Sequence, residues 1–278
     1  MFTNLALEEW ALEKLDATAT NYLILYINKP SVVLGRNQNL FQEVNLAYCQ
    51  NKQIEVARRI SGGGTVFHDE GNLNWAWISA FDEKKVNRYE WAAQAIIDLL
   101  AHYNLKAYLT DRNAIEVDGL KLSGQAQFTK RKNILSHGTL LIDADLSSLQ
   151  PAIEMDKRLR IESKARPSVR SQTANLNALT GIKRSPMECA KDLLDLIRGS
   201  EVEFDASLVD REKFRSKNWI INRSPKFRAE HTIGDETFHL TVEKGIIVGV
   251  QKADSQKLIT DSPYLHHSYE KLLSTILQ

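Results

Sequence analysis

Apolar residues recur at the three-to-four-residue spacing of an amphipathic helix in several parts of the chain. The predicted helices cover 4–15, 45–51, 87–102, 186–198 and 208–216, with a terminal helix from about 268. Asn4 is the predicted N-cap of the first, with Glu8 and Glu9 in its first turn, where carboxylates favour the helix dipole. Asn87 and Ser185 each begin a sequence that resembles a capping box.

Other stretches are continuously apolar or alternate between apolar and polar residues, which is typical of β-strands. They cover 22–27, 32–34, 54–59, 65–68, 73–79, 115–122 and 139–142, and two or three more lie within 227–250. Asp118-Gly119 interrupts 115–122 and predicts a two-residue hairpin turn that pairs Glu116 with Lys121. Because strands, helices and hairpins interleave irregularly, the predicted fold class is α+β, a mixed or antiparallel sheet with flanking helices.

A chain of 278 residues favours one large domain that carries a small appendage. The sequence after Gly199 differs in texture, with one short helix, a group of strands and a terminal helix. We therefore expect a large domain over 1–198 and a small α/β accessory domain over 199–278. Hydrophobic residues are 43% and charged residues 26%, values that argue against disorder and against a coiled coil.

Charge and cysteine content exclude several classes of protein. Lys and Arg total 36 against 35 for Asp and Glu, so the net charge of +1 predicts neither a nucleic-acid nor an anionic-membrane partner. No run of 18 apolar residues and no basic leader followed by an apolar segment is present, which predicts a cytoplasmic protein. Cys49 and Cys189 lie far apart, which disfavours a disulfide framework and excludes a cysteine-rich zinc site.

The most unusual segment is glycine-rich and runs from Arg58 to Asp69, Arg-Arg-Ile-Ser-Gly-Gly-Gly-Thr-Val-Phe-His-Asp. Consecutive glycines let a backbone approach a ligand and present N–H groups to an anion, while arginines hold phosphate or carboxylate. The alternative is a flexible turn between two strands. The segment matches neither the Walker pattern nor the Rossmann spacing.

Two further segments carry polar side chains among apolar ones. In the first, Asp118 to Ala126, Lys121 stands in mid-strand, where an ammonium could clamp a carboxylate and a phosphate together. The alternative is a solvated lysine paired with Glu116, worth well under about 1 kcal/mol. The second, 136–141, offers a histidine and a threonine at the start of a strand.

Taken together and in order, these segments resemble the lipoate-protein ligase family of the biotin and lipoate ligase superfamily. The matching motifs are Gly35-Arg36-Asn37-Gln38-Asn39, the Arg58–Asp69 segment, Lys121-Leu122-Ser123-Gly124, His137-Gly138-Thr139-Leu140-Leu141, Ser168-Val169-Arg170-Ser171, Ala174-Asn175-Leu176 and Asn222-Arg223-Ser224-Pro225-Lys226-Phe227. The resemblance covers nearly the whole chain. It implies an enzyme that joins lipoate to AMP from ATP with Mg²⁺, and then transfers the lipoyl group to a lysine. The implied acceptors are lipoyl domains of 2-oxoacid dehydrogenases or the glycine-cleavage H protein.

The resemblance also implies roles for residues of this sequence. The expected adenylate-binding residues are Arg59, Gly62, Gly63, Gly64, Thr65, Val66, Phe67, Asn113 and Lys121, and the expected lipoate-binding residues are Arg59, Ser61, His68, Lys121, Ala126, His137 and Thr139. Lys121 would bridge the lipoate carboxyl and the α-phosphate as the catalytic residue. Val66, Ala126 and the strand with Trp75 and Trp77 would line an apolar tunnel for the aliphatic tail.

The sequence departs from the family pattern before the hairpin, where Asp111-Arg112-Asn113-Ala114 lacks the usual acidic residue after the asparagine. Since positions 114 and 116 face the same way on a strand, Glu116 is the hypothetical replacement carboxylate and metal ligand. The chain also begins at the first helix, and its accessory domain is shorter than usual. These two features predict weaker closure over the adenylate and an activity that is partial or directed to the second step.

Three other functions compete with the ligase. An octanoyl or lipoyl transferase of the same fold would need a pocket thiol, whereas Cys49 and Cys189 are expected to be ordinary buried residues. A biotin ligase fits the Arg58–Asp69 string less well. With Ala114 and a reduced appendage, the protein could also bind lipoate or lipoyl-AMP without forming lipoyl-AMP.

Overall fold

The structure is a computed structural model that describes residues 1–155, 159–233, 235–254, 258–260 and 262–276. The helices are α1 (Phe2–Lys14), α2 (Leu40–Glu43), α3 (Leu46–Asn51), α4 (Glu90–His102), α5 (Leu146–Ile153), α6 (Leu176–Thr180), α7 (Pro186–Ile197), α8 (Glu212–Arg215), α9 (Lys217–Ile220) and α10 (Tyr269–Ile276). Among these described helices, none has both the length and the apolar character needed to cross a bilayer. The strands are β1 (Tyr22–Tyr26), β2 (Ser31–Leu34), β3 (Glu55–Arg58), β4 (Val66–His68), β5 (Asn72–Ala80), β6 (Tyr108–Leu109), β7 (Ala114–Val117), β8 (Leu120–Lys130), β9 (Asn133–Leu141), β10 (Arg160–Ser163), β11 (Phe227–Ile233), β12 (Glu236–Glu243) and β13 (Ile246–Lys252).

The main sheet has the strand order β1-β5-β9-β8-β7-β6, and its neighbouring strands are antiparallel. The β7–β8 hairpin turns at Asp118 and Gly119, which both have positive φ, and it pairs Glu116 with Lys121 as predicted. A smaller sheet, β3-β2-β4, holds β2 parallel to β3 and antiparallel to β4. The predicted α+β class with a mixed or antiparallel sheet is confirmed.

Helices cover both faces of the main sheet because its strands alternate apolar side chains between the two faces. Along β5, Leu73 and Trp75 pack in one apolar cluster with residues of α4 and α7. Ala76 and Ile78 pack in a second cluster with residues of α1. The sheet is therefore buried between α1 on one face and α4 with α7 on the other.

A third sheet, β10-β11-β12-β13, joins the two expected domains. Its first strand lies before residue 198, so backbone hydrogen bonds cross the expected boundary. A core crosses it as well, since the ring centroids of Phe41, Phe227 and Tyr269 are 4.9, 5.1 and 5.4 Å apart. The segment 199–278 thus packs directly against the N-terminal part.

Two predicted N-caps are wrong because the side chains and backbone are engaged elsewhere. Helix α1 begins before Asn4, whose amide donates to Asn28 Oδ1 at 2.8 Å. Helix α4 begins after Asn87, which has a φ of 56° and donates its backbone N–H to Gln127 Oε1 at 3.0 Å. Both asparagines therefore tie elements together instead of capping a helix.

Of two further helix predictions, one is confirmed and one is wrong. The capping box at Ser185 and Glu188 is confirmed, since each accepts a backbone N–H of the other. The single helix predicted over 208–216 is wrong, because Ser216 ends α8 and caps α9 by accepting the Trp219 backbone N–H at 3.2 Å. The predicted range therefore contains the short α8, and α9 follows it as a separate helix.

Candidate active site

A cavity of about 930 Å³ is lined by strands of the main and small sheets, the glycine-rich loop 62–65 and the loop 164–171 after β10. Most of the predicted site residues line it, namely Arg59, Gly62, Gly63, Gly64, Thr65, Val66, His68, Asn113, Glu116, Lys121, Ala126, His137 and Thr139. Ser61 and Phe67 are not among the lining residues: Ser61 lies behind the wall against His137, and the Phe67 side chain packs in the core. The sequence prediction thus converges on one cavity.

The apolar part of the wall differs from the prediction. Val66 and Ala126 line the cavity, but Trp75 and Trp77 do not, because both indoles pack with the α4–α7 side of the sheet. Leu5, Tyr26 and Val33 contribute apolar surface instead. The predicted tunnel wall of two tryptophans is therefore corrected.

Arg59 shapes the glycine-rich loop from within. Its guanidinium donates to Ser61 Oγ at 3.0 Å, to the Val33 carbonyl at 3.1 Å and to the Gly64 carbonyl at 2.8 Å. Burial lowers the pKa of Arg59 to about 10, so the group is still a cation at neutral pH. Gly63 has a φ of 87°, and a Cβ there would lie 2.9 Å from Arg59 Nη2. The arginine that the sequence assigns to phosphate binding thus directs most of its donors to the protein.

Lys121 enters the same cavity with a free ammonium. Within the described residues no hydrogen bond or ion pair engages its side chain, although Glu116 is its cross-strand neighbour. Burial lowers the pKa of Lys121, and the charge of Glu116 partly offsets that shift. A Cβ at Gly124 would lie 2.8 Å from Lys121 Cε and Nζ, so glycine at 124 makes room for the ammonium. The alternative of a solvated surface pair does not fit this burial.

A buried relay of polar groups forms part of the cavity wall, with Tyr26 and His137 lining the cavity and Glu8 and Ser61 behind them. His137 Nδ1 is 2.7 Å from Glu8 Oε2, and His137 Nε2 is 2.6 Å from Ser61 Oγ. The Tyr26 hydroxyl donates to Glu8 Oε1 at 2.9 Å, and burial raises the pKa of Tyr26. The order serine, histidine, carboxylate resembles that of a nucleophilic triad. Ser61 does not line the cavity and accepts a hydrogen bond from Arg59, so the relay forms a rigid polar wall rather than a nucleophile.

His68 lines the cavity as a neutral imidazole. Burial, followed by the charge of Arg59, lowers the pKa of His68 to about 3. The Asn28 amide donates to His68 Nδ1 at 2.9 Å, and Asn28 in turn accepts from Asn4. A neutral ring fixed in this way leaves Nε2 as a hydrogen-bond donor.

The loop 164–171 is fastened over the glycine-rich loop through Ser168. The Ser168 hydroxyl accepts from the Thr65 backbone N–H at 2.8 Å and from Gln38 Nε2 at 2.9 Å, and it donates to the Glu43 carboxylate. Glu43 also accepts the Ser168 backbone N–H at 3.0 Å. We call this set of bonds the Ser168 latch. It sets the distance between two loops that both line the cavity.

Several lining or supporting residues were missed from the sequence. Glu8 was assigned to the helix dipole, yet it is 1% exposed, and its spacing from Leu5 and Leu12 already put a carboxylate on the apolar face of α1. Gln125 lines the cavity with both amide atoms buried and unpartnered within the described residues. Gln38 and Ser168 stand in matched motifs but had no assigned role, whereas Lys164 and Arg166 lie outside every matched motif and in no periodic pattern.

The two cysteines of the chain are free and buried, as predicted. Burial raises the pKa of the Cys49 thiol to about 12 and also raises that of Cys189. Neither residue lines the cavity. The site therefore offers no thiol nucleophile from either cysteine.

Known proteins are similar to this chain in sequence. Residues 1–197 match the lipoyl protein ligase A/B catalytic domain. The chain is similar to lipoate-protein ligase LplJ of Bacillus subtilis, with 36% identity over 261 residues that cover 88% of this chain and 78% of that protein.

Two solved structures share the fold. Protein Ta0514 from T. acidophilum with bound lipoic acid has a TM-score of 0.66 at 20% identity, covering 79% of this chain and 93% of that one. Lipoate-protein ligase A bound with ATP has a TM-score of 0.65 at 23% identity, covering 78% of this chain and 92% of that one. From its domain match and its identity to LplJ, the chain belongs to the lipoate-protein ligase family.

Proposed function

We propose that this cavity activates lipoate with ATP to form lipoyl-AMP and then transfers the lipoyl group to a lysine of an acceptor protein. The observation that carries the proposal is the half-buried, unpaired ammonium of Lys121 in a cavity that also has an apolar wall. Fixed positive charge in a site shielded from water stabilises developing negative charge far better than it does in bulk water. Family membership supports the same reaction.

In the first step, a lipoate carboxylate oxygen attacks the α-phosphorus of ATP, and the bond from that phosphorus to the pyrophosphate oxygen breaks. Lys121 would hold the carboxylate and the α-phosphate together and balance the charge on the phosphorus. In the second step, the acceptor amine attacks the lipoyl carbonyl carbon, AMP leaves with the electron pair of the C–O bond, and the amine nitrogen loses a proton to solvent. Both steps depend on positioning and charge rather than on a protein nucleophile.

Arg59 would act by holding the glycine-rich loop in shape, since its donors are on Ser61 and on loop carbonyls. The lipoate tail would lie along Leu5, Val33 and Ala126, above the Glu8–His137–Ser61 relay. The unpartnered Gln125 amide is available to a polar group of the nucleotide. These roles are consistent with the contacts of each side chain.

Magnesium fits the cavity through one protein carboxylate. Of the described lining residues, Glu116 carries the carboxylate, and Mg²⁺ in phosphate-transfer sites uses one or two carboxylates together with substrate phosphates. Glu116 would hold the ion, which when bound would offset phosphate charge. Ala114, buried beside it, supplies no ligand.

We propose lipoyl domains of 2-oxoacid dehydrogenases or the glycine-cleavage H protein as acceptors, a cytoplasmic location, and accessory status for 199–278. The transferase alternative is disfavoured because neither cysteine lines the cavity.

The test is lipoate-dependent ATP–pyrophosphate exchange with the wild-type protein and with Lys121→Ala. Exchange should be present in the wild type and fall by at least about 100-fold in the variant, as expected for a lost preorganised charge. Lys106→Ala is the control, because Lys106 is exposed and does not line the cavity. Exchange that persists in Lys121→Ala would reject the proposed site, and a wild type without exchange would reject the ligase reaction.

A further inference from the structure

The cavity has more cationic side chains than lipoate activation at the α-phosphate requires. Those that line it are Arg59, Arg112, Lys121, Lys164 and Arg166. Arg59 has its donors on the protein, and Lys121 is assigned to the carboxyl and the α-phosphate. Three cations are left without a role.

Arg112, Lys164 and Arg166 share two properties. Each is exposed at the mouth of the cavity, and none of their side chains has a hydrogen bond or an ion pair within the described residues. Glu116 is the carboxylate among the described lining residues, so the mouth carries a local excess of positive charge in a chain whose net charge is +1. Unpaired cations in one concave site attract a polyanion.

These three cations come from two separate parts of the fold. Arg112 precedes Asn113, whose φ of 60° turns the chain into the hairpin that carries Lys121. Lys164 and Arg166 stand on the loop 164–171, which the Ser168 latch fixes above the glycine-rich loop. The latch also consumes the Thr65 backbone N–H, so that amide is not free for phosphate. The cationic side chains that line the cavity are therefore candidate donors for the anion.

We propose that Arg112, Lys164 and Arg166 bind the two outer phosphates of ATP and hold the departing pyrophosphate. This inference rests on the proposed function. When the carboxylate oxygen attacks the α-phosphorus, the electron pair of the breaking P–O bond goes to pyrophosphate. The three cations stabilise the negative charge that develops on this leaving group. The Ser168 latch is the element that positions two of them.

The experiment separates the two half-reactions of the ligase. In the Lys164→Ala/Arg166→Ala variant, the KM for ATP and the KM for pyrophosphate in exchange should rise by at least about tenfold, because charge-assisted hydrogen bonds to phosphate are lost. Titration of inorganic pyrophosphate into the protein should show the same weakening. Transfer from preformed lipoyl-AMP to an acceptor domain should stay within about twofold, since lipoyl-AMP lacks the outer phosphates. Ser168→Ala should raise the KM for pyrophosphate in the same direction.

The control is Lys106→Ala/Lys183→Ala, which removes the same charge from exposed lysines outside the cavity. Its exchange kinetics should match the wild type, which excludes an effect of net charge. Unchanged KM values for ATP and pyrophosphate in Lys164→Ala/Arg166→Ala would overturn the inference, and so would an equal loss of lipoyl-AMP transfer. A wild type with no exchange would instead overturn the proposed function on which it rests.

Discussion

Replacing Gly124 by alanine should inactivate the site while leaving the fold almost intact. The new Cβ would lie 2.8 Å from Lys121 Cε and Nζ, whereas non-bonded contacts of this kind need about 3.5–4.0 Å. Gly124 has no positive φ, so alanine fits its backbone, and the relief must come from a shift of about 1 Å at the flexible end of Lys121. A misplacement of about 1 Å at a reacting centre costs about 100-fold in rate. The off-rotamer lysine costs only about 0.5–1.5 kcal/mol of stability.

The assay is lipoate-dependent exchange together with thermal unfolding. We expect exchange by Gly124→Ala to fall about 100-fold, with a change of only a few degrees in Tm. Gly199→Ala is the matched control, because its Cβ would lie 3.4 Å from Ile197, an ordinary contact outside the cavity. Exchange by Gly124→Ala within about threefold of the wild type would refute the argument that the position of the Lys121 ammonium limits activation.

Three other variants probe separate parts of the molecule. In Glu116→Gln, exchange should fall at every pH because the proposed magnesium ligand is lost. The pKa of Lys121 should also fall further, since the Glu116 charge raises it, so the alkaline limb of the remaining exchange should move to lower pH; an unmoved alkaline limb would contradict the coupling. Arg58→Met should lower the free energy of unfolding in urea by about 3–5 kcal/mol, because the buried guanidinium donates hydrogen bonds to carbonyls of two separate segments. A decrease of less than about 1 kcal/mol would contradict this. Cys49→Ala/Cys189→Ala should keep exchange and transfer within about twofold, whereas loss of transfer alone would favour the cysteine-dependent transferase.

Local patterns predicted the fold well where sequence and packing agree. The Asp118-Gly119 turn has the positive φ that a two-residue hairpin needs, so the register of Glu116 and Lys121 followed from a dipeptide. Ser185 capped α7 because nothing else competes for its side chain. Asn4 and Asn87 are typical N-cap residues, but each instead makes a tertiary hydrogen bond, to Asn28 and to Gln127 respectively. Capping preference is a local energy of about 1 kcal/mol, which one long-range hydrogen bond can match.

The candidate site was predictable in its residues and less so in their contacts. Motif spacing led to the cavity, but it could not tell that the Arg59 donors turn inward to the loop. It also missed Glu8. The carboxylate of Glu8 lies on the apolar face of α1 because it pairs with His137 of β9, which is far away in the sequence. Lys164 and Arg166 stand on a loop without periodicity and outside the matched motifs, so only the folded structure shows that they line the cavity. Long-range side-chain pairing is the information that spacing lacks.

The contacts of Arg58 explain how the segment 199–278 can influence the chemistry. The guanidinium donates to Ile220 O at 2.7 Å on one side and to Gln38 O at 2.7 Å on the other, and the Ser224 hydroxyl is 3.2 Å from Nη2. Gln38 in turn bonds Ser168 of the latch, and its Oε1 accepts the Thr65 hydroxyl at 2.8 Å. One arginine and one glutamine therefore link the C-terminal segment by hydrogen bonds to the glycine-rich loop and to the loop 164–171. Each link is a direct hydrogen bond between buried or half-buried groups, so a continuous set of bonds joins the segment 199–278 to the proposed phosphate site.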